Sequence, residues 1–280
     1  MITGLHHVAA VVETLEEGAE VWRDGLGLRV DVEATVPAQG VRAALLPCGG
    51  GEIEMLEPLA DDSPIAKFGR RGGGIHHICL ESDDVAGDLA RLDAAGIALI
   101  DKTPRPGLAG QIGFLHPKAT LSSLIELATP GGGVETTAFA QPDPPADACF
   151  DAQTIVGVVF AVRDIAAAAE VFRTCFEFEI SDSRVQLPEI GAEAVRIETG
   201  AALIDLATPV DDTGVLSARL DTKGEGAAVL RLGVSALEPG TRCLVAEGAT
   251  VTETKDATGD AVILIEGSSA HGIELALTEV

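Results

Sequence analysis

"GGGIHHICLESDDVAGDLARLDAAGIALI", residues 72 to 100, passes from three glycines into an apolar run holding two adjacent histidines. A Ser/Asp-rich start, an amphipathic segment, a stop at Gly96 and a second apolar run follow. Short apolar runs bounded by glycine read as strands, and an Asp start followed by 3.6-residue periodicity reads as a helix. The same order opens the chain, where "GLHHVAAVV" from Gly4 carries its own histidine pair. Further along, "VVFAVRDIAAAAEVFRTCFEFEIS" from Val158 matches "VAAVVETLEEGAEVWRDGLGLRVD" from Val8, with Phe172 at the place of Trp22. "LRLGVSALEPGTRCLVAEGATVTE" from Leu230 is a weaker copy of the stretch from Ile78. Four units of roughly 60 to 75 residues, each one helix with several strands, predict an α+β protein whose curved sheets close in pairs around a cavity.

Between the two pairs of units lies "ATPGGGVETTAFAQPDPPADACFDA", with Pro130, Pro142, Pro144 and Pro145. Its composition reads as a linker, so the expected division is a first module over 1–130, a linker over 131–153 and a second module over 154–280.

Composition excludes several partners. With 19 Lys plus Arg against 44 Asp plus Glu the net charge is -25, which repels nucleic acid and anionic membranes at long range. Aromatics make up 3% of the chain and tyrosine is absent, leaving little for base stacking. No stretch approaches a membrane span, and "MITGLHHVAAVVETLEEG" lacks the features of a secretory signal. Five cysteines share no CxxC spacing. Cys48, Cys79 and Cys243 stand in apolar surroundings and read as reduced, buried thiols, which points to a cytoplasmic protein acting on a small molecule.

The histidines supply the chemistry. His7 in the first opening strand is followed after 47 residues by Glu54 in "GEIEMLEP", and His77 after 49 by Glu126 in "LSSLIELAT". If the units pair about a pseudo-twofold axis, these four converge. Two imidazoles and one or two carboxylates suit a divalent transition metal such as Co, Zn, Mn, Fe or Ni. A carboxylate between Ile125 and Leu127 is costly in an apolar strand unless it is paired or coordinated. Strand alternation lets only one histidine of each pair face the cavity, and parity does not choose between His6 and His7 or between His76 and His77. Glu52 shares the face of Glu54. In the second half the repeat places Gly157 at His7, Asp205 at Glu54, Val229 at His77 and Glu274 at Glu126, so both imidazoles are lost and the module reads as degenerate. His271, in a turn, reads as a solvated side chain.

"QGVRAALLPCGGGEIEMLEPLADDSPIAKFGRRGGGIHHICLESDDV" and "RPGLAGQIGFLHPKATLSSLIELAT" resemble the methylmalonyl-CoA epimerases of the vicinal oxygen chelate superfamily, which includes glyoxalases and bleomycin-resistance proteins. The resemblance spans nearly all of residues 4 to 128. It implies tandem modules, each of two paired βαβββ units, with His7, His77, Glu126 and Glu54 as metal ligands. It further implies epimerisation of a 2-methyl-branched acyl-CoA by removal of the C2 proton, through an enolate stabilised by a divalent metal ion. Glu126 and Glu54 would be catalytic, with Gln39, Lys118 and Arg105 contacting substrate. Lys67, Arg70, Arg71 and Lys102 lie in flanking loops that suit phosphate. Some members read "QGVRE" where this chain has Ala43, so one acid/base group is missing, with Glu52, Glu54 and Gln39 nearby. Members commonly carry a glycine-rich run where this chain reads "HPKATLSSLIEL". Other readings are a glyoxalase-like lyase or Fe(II) dioxygenase on the same scaffold, or a small-ligand binding or resistance protein. Single-module relatives dimerise, so the chain is expected to be a monomeric pseudo-dimer or a homodimer.

Overall fold

The computed structural model describes residues 1–246 and 249–280. Its first nine strands form one sheet: β1 (Ile2–Val11), β2 (Val32–Val36), β3 (Val41–Pro47), β4 (Glu52–Pro58), β5 (Ile75–Ser82), β6 (Arg105–Gly107), β7 (Gly110–Leu115), β8 (Leu124–Thr129) and β9 (Thr137–Ala138). The order β6-β7-β8-β5-β1-β4-β3-β2-β9 is two four-stranded units joined where β1 and β5 run antiparallel, with β9 added at one edge. Within each unit the first and last strands, β1 with β4 and β5 with β8, pair in parallel.

The second sheet repeats the plan without the added ninth strand. It holds β10 (Ala152–Ala161), β11 (Arg184–Leu187), β12 (Ala192–Thr199), β13 (Ala202–Pro209), β14 (Gly226–Val234), β15 (Val251–Lys255), β16 (Ala261–Ile265) and β17 (Glu274–Glu279). The chain is thus an α+β protein of two tandem modules with paired units, as the repeat implies.

The helices start where the sequence signals them. Asp84 caps α3 (Val85–Ala94) by accepting from the Gly87 N–H, and Asp164 caps α4 (Ile165–Phe176) by accepting from Ala166 and Ala167. Ser63 caps α2 (Pro64–Arg70), with proline in the first turn. α1 (Leu15–Ala19) continues as a π-helical turn over Glu20–Gly25, while α5 (Gly214–Thr222) and α6 (Glu238–Ala246) belong to the second module. None of the described helices is long and apolar enough to cross a membrane. Trp22 and Phe172 are both fully buried, which accounts for the aromatic at matching places of the repeat.

The helix-covered faces of the two sheets meet. Ile78, Leu80 and Leu89 of the first module and Phe160, Phe172 and Leu230 of the second belong to one continuous core. Backbone bonds cross the same boundary, from Ala152 N–H to Leu26 O at 2.9 Å and from Gly74 N–H to His271 O at 3.1 Å. At this second crossing a side chain has no room, because a Cβ on Gly73 would lie 2.3 Å from His271 O and one on Gly272 2.0 Å from Gly72 O. His271 is not the solvated side chain its turn suggests: it is half-buried, and its Nε2 has no hydrogen-bond partner.

The stretch after β8 is held down rather than free. β9 pairs with β2, Phe139 and Phe150 are buried, and Cys149 is bonded to Cys243 of α6. Cys243 is therefore not a reduced thiol, whereas Cys48, Cys79 and Cys175 are free and buried. The error arose because an apolar neighbourhood describes a buried disulfide as well as a buried thiol.

Candidate metal centre

Each sheet is curved, and its concave face is lined by alternate residues. In the first module these include Ala9 and Val11 of β1, Ala43 of β3, Leu56 of β4, Cys79 of β5, and Ile112 and Ala128 opposite. Four polar side chains interrupt this apolar surface: His7, Glu54, His77 and Glu126, exposed by 0%, 5%, 2% and 3%. They come from β1, β4, β5 and β8, the four central strands, where the antiparallel β1–β5 seam brings the two units together.

His7 Nε2 and His77 Nε2 lie 3.0 Å apart. Glu54 Oε2 is 3.4 Å from the first and 3.2 Å from the second, and Glu126 Oε2 is 3.8 Å from His77 Nε2. Ligand atoms about 2.1 Å from one cation lie about 3.0 Å apart in an octahedron and about 3.4 Å apart in a tetrahedron. The spacings among His7, His77 and Glu54 therefore fit a common central cation, with Glu126 Oε2 somewhat farther out at 3.8 Å from His77 Nε2. Glu54 Oε2 is buried and makes no hydrogen bond, a costly state that coordination relieves. The donor set, nitrogen and carboxylate oxygen, suits a divalent transition metal, and His7, His77 and Glu126 place donor atoms within 4.8 Å of one another. The residues present fit the group.

The electrostatics agree. Burial alone would push His7 down, but the Glu54 carboxylate beside it, with Glu126 and Glu52, leaves its pKa raised. Burial would raise Glu54, but His7 and His77 hold it well below the usual carboxylate range. Glu126 is pushed up, chiefly by burial, despite the two imidazoles and a hydrogen bond from the Cys79 thiol.

The first histidine of each pair has its own task. His6 Nδ1 lies 3.1 Å from His7 Nδ1, and His76 Nδ1 3.0 Å from His77 Nδ1, so within each pair one ring N–H donates to the other ring's bare nitrogen. Burial, with a neighbouring imidazole, lowers His6 to about 4 and His76 to about 3, which keeps both neutral and able to orient the inner rings. Parity in the sequence leaves these roles open; the register settles which nitrogens converge.

The remaining expected contacts divide. Arg105 stands 5.5 Å over the Phe114 ring, which meets His77 edge-on at 5.4 Å, so this cation borders the centre. Glu52 is half-buried with its Oε2 3.7 Å from His6 Nδ1. Gln39 lies in the turn between β2 and β3. Lys118 is exposed and borders a different groove, with Ala167, Glu170 and Thr174 of α4. Lys67 and Arg70 belong to α2 rather than a loop, and Lys102 pairs with Asp93. Ala43 faces the concave side among Ala9, Val11 and Leu56, so the position that reads glutamate in some members is here an apolar wall. In "HPKATLSSLIEL", Leu121 and Ser122 adopt φ of 53° and 59°, the left-handed conformation that glycine takes at least cost.

The second module has replaced the arrangement. Val229 pairs with Glu274 as His77 pairs with Leu124, and Arg231 pairs with Ala276 as Cys79 pairs with Glu126. Glu274 thus stands at the place of Leu124, and the counterpart of Glu126 is Ala276. Glu274 is therefore not at the place of Glu126 as the repeat implies, because the "IEL" common to both halves is offset by two residues from the ladder. Of the quartet only Asp205 survives, 1% exposed, and two guanidinium groups neutralise it. Arg196 donates through Nε and Nη2 at 2.8 and 2.9 Å, and Arg231 through Nη1 at 2.9 Å. Leu216 and Leu220 of α5 fill the concave face against Val159, Ala161 and Val229.

Residues 6–115 match the family described as the Glyoxalase/Bleomycin resistance protein/Dioxygenase superfamily. The chain is 36% identical over 126 residues to the mitochondrial methylmalonyl-CoA epimerase of Dictyostelium discoideum, spanning 44% of this chain and 76% of that protein. It is 39% identical over 131 residues to the ethylmalonyl-CoA/methylmalonyl-CoA epimerase of Cereibacter sphaeroides, spanning 45% of this chain and 98% of that one. A mutant of 4-hydroxymandelate synthase from Streptomyces coelicolor superposes over 100% of this chain and 93% of its own with a TM-score of 0.71; at 16% identity this is a likeness of fold.

Proposed function

Because the chain belongs to the vicinal oxygen chelate superfamily, and within it to the methylmalonyl-CoA epimerases, we propose that it epimerises a 2-methyl-branched acyl-CoA such as methylmalonyl-CoA at C2, using a divalent metal ion. The observation that carries this reading is the meeting of His7, Glu54, His77 and Glu126 at one buried point. When bound there, the cation supplies Lewis acidity, lowering the cost of negative charge on the thioester oxygen by several kcal/mol.

The chain's own residues do the rest. His6 and His76, held neutral, fix the rings of His7 and His77. Glu54, held anionic, serves ligation and is a poor proton carrier, so we restrict it to that role. Glu126, buried in the concave face beside His77, takes and returns the C2 proton on one face. Glu52 is raised by burial and takes the second proton-carrying role that Ala43 leaves vacant. The apolar wall of Ala9, Ala43 and Leu56 suits the methyl branch and excludes water. Arg105, beside Phe114, is placed to meet an acyl or phosphate anion.

Metal analysis, followed by proton NMR of the metal-loaded protein in D2O with (2R)- or (2S)-methylmalonyl-CoA, tests the reading. The expected result is one metal per chain, exchange of the C2 proton and interconversion of the epimers. A loaded protein that leaves the C2 proton in place overturns it.

A further inference from the structure

The second module carries an opening of its own. A cavity of about 470 Å³ lies between α5, β14 and the Gly72–Gly74 loop of the first module, within the size range of small-molecule sites. Its inner wall is apolar, from Val215, Ala218, Ala228 and Val229. Two cations line it: Arg219 and Lys223 of the α5 segment.

These cations are unusual in a chain with 44 acidic residues. Arg219 is half-buried, and its Nε is buried without a hydrogen-bond partner. Among the described residues no carboxylate lies within ion-pairing distance of it. The chain makes room for the group: a Cβ on Gly226, at φ +138°, would lie 2.8 Å from Arg219 Nη2. Lys223 Nζ donates to the carbonyls of Gly73 and Gly72 at 3.0 and 3.3 Å, which are neutral acceptors. Burial and the neighbouring Arg219 both push its pKa down, with Glu274 opposing. A guanidinium half-removed from water with no carboxylate in ion-pairing distance is costly, and the same module shows what balance looks like where Arg196 and Arg231 enclose Asp205; Lys223 beside it is exposed and adds a second positive charge at the mouth.

We propose that this cavity is a second ligand site, taking a small organic monoanion whose carboxylate meets Arg219 and Lys223 and whose short apolar body lies against Val215, Ala228 and Val229. The carboxylates of Glu266 and Glu274 also border the cavity and disfavour a multiply charged anion such as phosphate. The site is separate from the metal-ligand quartet. It touches the first module through Gly74 of the glycine loop and Ile75 at the start of β5.

Hexanoate is the probe, measured by isothermal titration and saturation-transfer NMR on the full-length, metal-loaded protein. Hexylamine and 1-hexanol present the body without the negative charge, and inorganic phosphate the charge without the body. Hexanoate is expected to bind more tightly than all three. Arg219→Gln should weaken it by about tenfold, equivalent to about 1.4 kcal/mol. Ala218→Leu, at an exposed helical position beside the cavity, should weaken it by crowding and decides the matter if Arg219→Gln fails to fold. His77→Ala, which is not expected to hold metal, should bind hexanoate with the affinity of the chelator-treated parent. Binding of 1-hexanol or phosphate as tight as hexanoate, insensitivity to Ala218→Leu, or loss in His77→Ala relative to that parent would each overturn the proposal.

Discussion

His7 Nε2 and His77 Nε2 face each other at 3.0 Å across the antiparallel seam between β1 and β5. Two imidazole nitrogens this close, with carboxylate oxygens beside them, must share a proton or a cation. His77→Ala removes the nitrogen nearest to both Glu54 and Glu126. It is expected to abolish stoichiometric metal and C2 exchange while circular dichroism stays native; retention of either metal or exchange would sink the ligand assignment.

Metal loading should depend on pH in a definite direction. His7 and Glu126 both have raised pKa values in the metal-free fold, and a cation must displace the protons they hold. A group raised on folding stabilises the fold below its unfolded pKa and loses that contribution as pH rises through the folded value. The metal-free protein should therefore weaken as pH climbs through these folded values, while metal affinity and the metal-induced rise in Tm grow. Titration calorimetry in two buffers of different ionisation enthalpy reads the proton release; equal heats in both would contradict it.

In the second module Arg231→Leu leaves Asp205 with Arg196 alone. Because Asp205 is 1% exposed, the lost charge-assisted bond should cost about 1–3 kcal/mol. Urea unfolding measures this, and metal content should not change. A variant as stable as the parent would mean the carboxylate is adequately held by Arg196.

Ser122→Gly replaces a left-handed residue, φ 59°, in the loop before β8. Relief of backbone strain should raise stability by about 0.5–1 kcal/mol, read as a higher Tm. A lower Tm would show that the serine side chain contributes more than its conformation costs.

Reduction of Cys149–Cys243 opens a link spanning 94 residues, for which chain entropy gives an upper figure of about 4–5 kcal/mol. Dithiothreitol or Cys243→Ser should lower the Tm by several degrees. Thiol mapping under native, non-reducing conditions should find Cys48 slow to react, since burial pushes it up to about 12. Rapid labelling of Cys48 would contradict its burial.

Much of this was legible in the residues. Closely matched spacing of His7 to Glu54 and His77 to Glu126, 47 and 49 residues, marks one geometric place in two units, and carboxylates inside apolar strands signal that something must balance them. The same cue lay unread in "VRIET" and "LRLGV", where Arg196 and Arg231 sit in apolar strands and their meeting with Asp205 decides the second module's fate. Glu274 was misplaced because a three-residue likeness outweighed the loop before it, whereas ladder register counts every residue from His116 or Glu266 onward. Cys149 and Cys243 gave no local signal, since contact over such a separation is set by tertiary packing. Lys118 lies near Glu126 in sequence, but its loop turns it outward toward α4.

The continuous core joining Ile78 and Leu89 to Phe160 and Phe172 gives the tandem chain a property that separate subunits lack. Two copies associating from solution part on dilution, at a concentration set by their dissociation constant. Here the second copy is tethered by the chain itself, so the apolar back of the metal-bearing sheet stays covered however scarce the protein becomes. The duplicated module, which lacks the two ligand-position histidines, packs as a permanently bound companion.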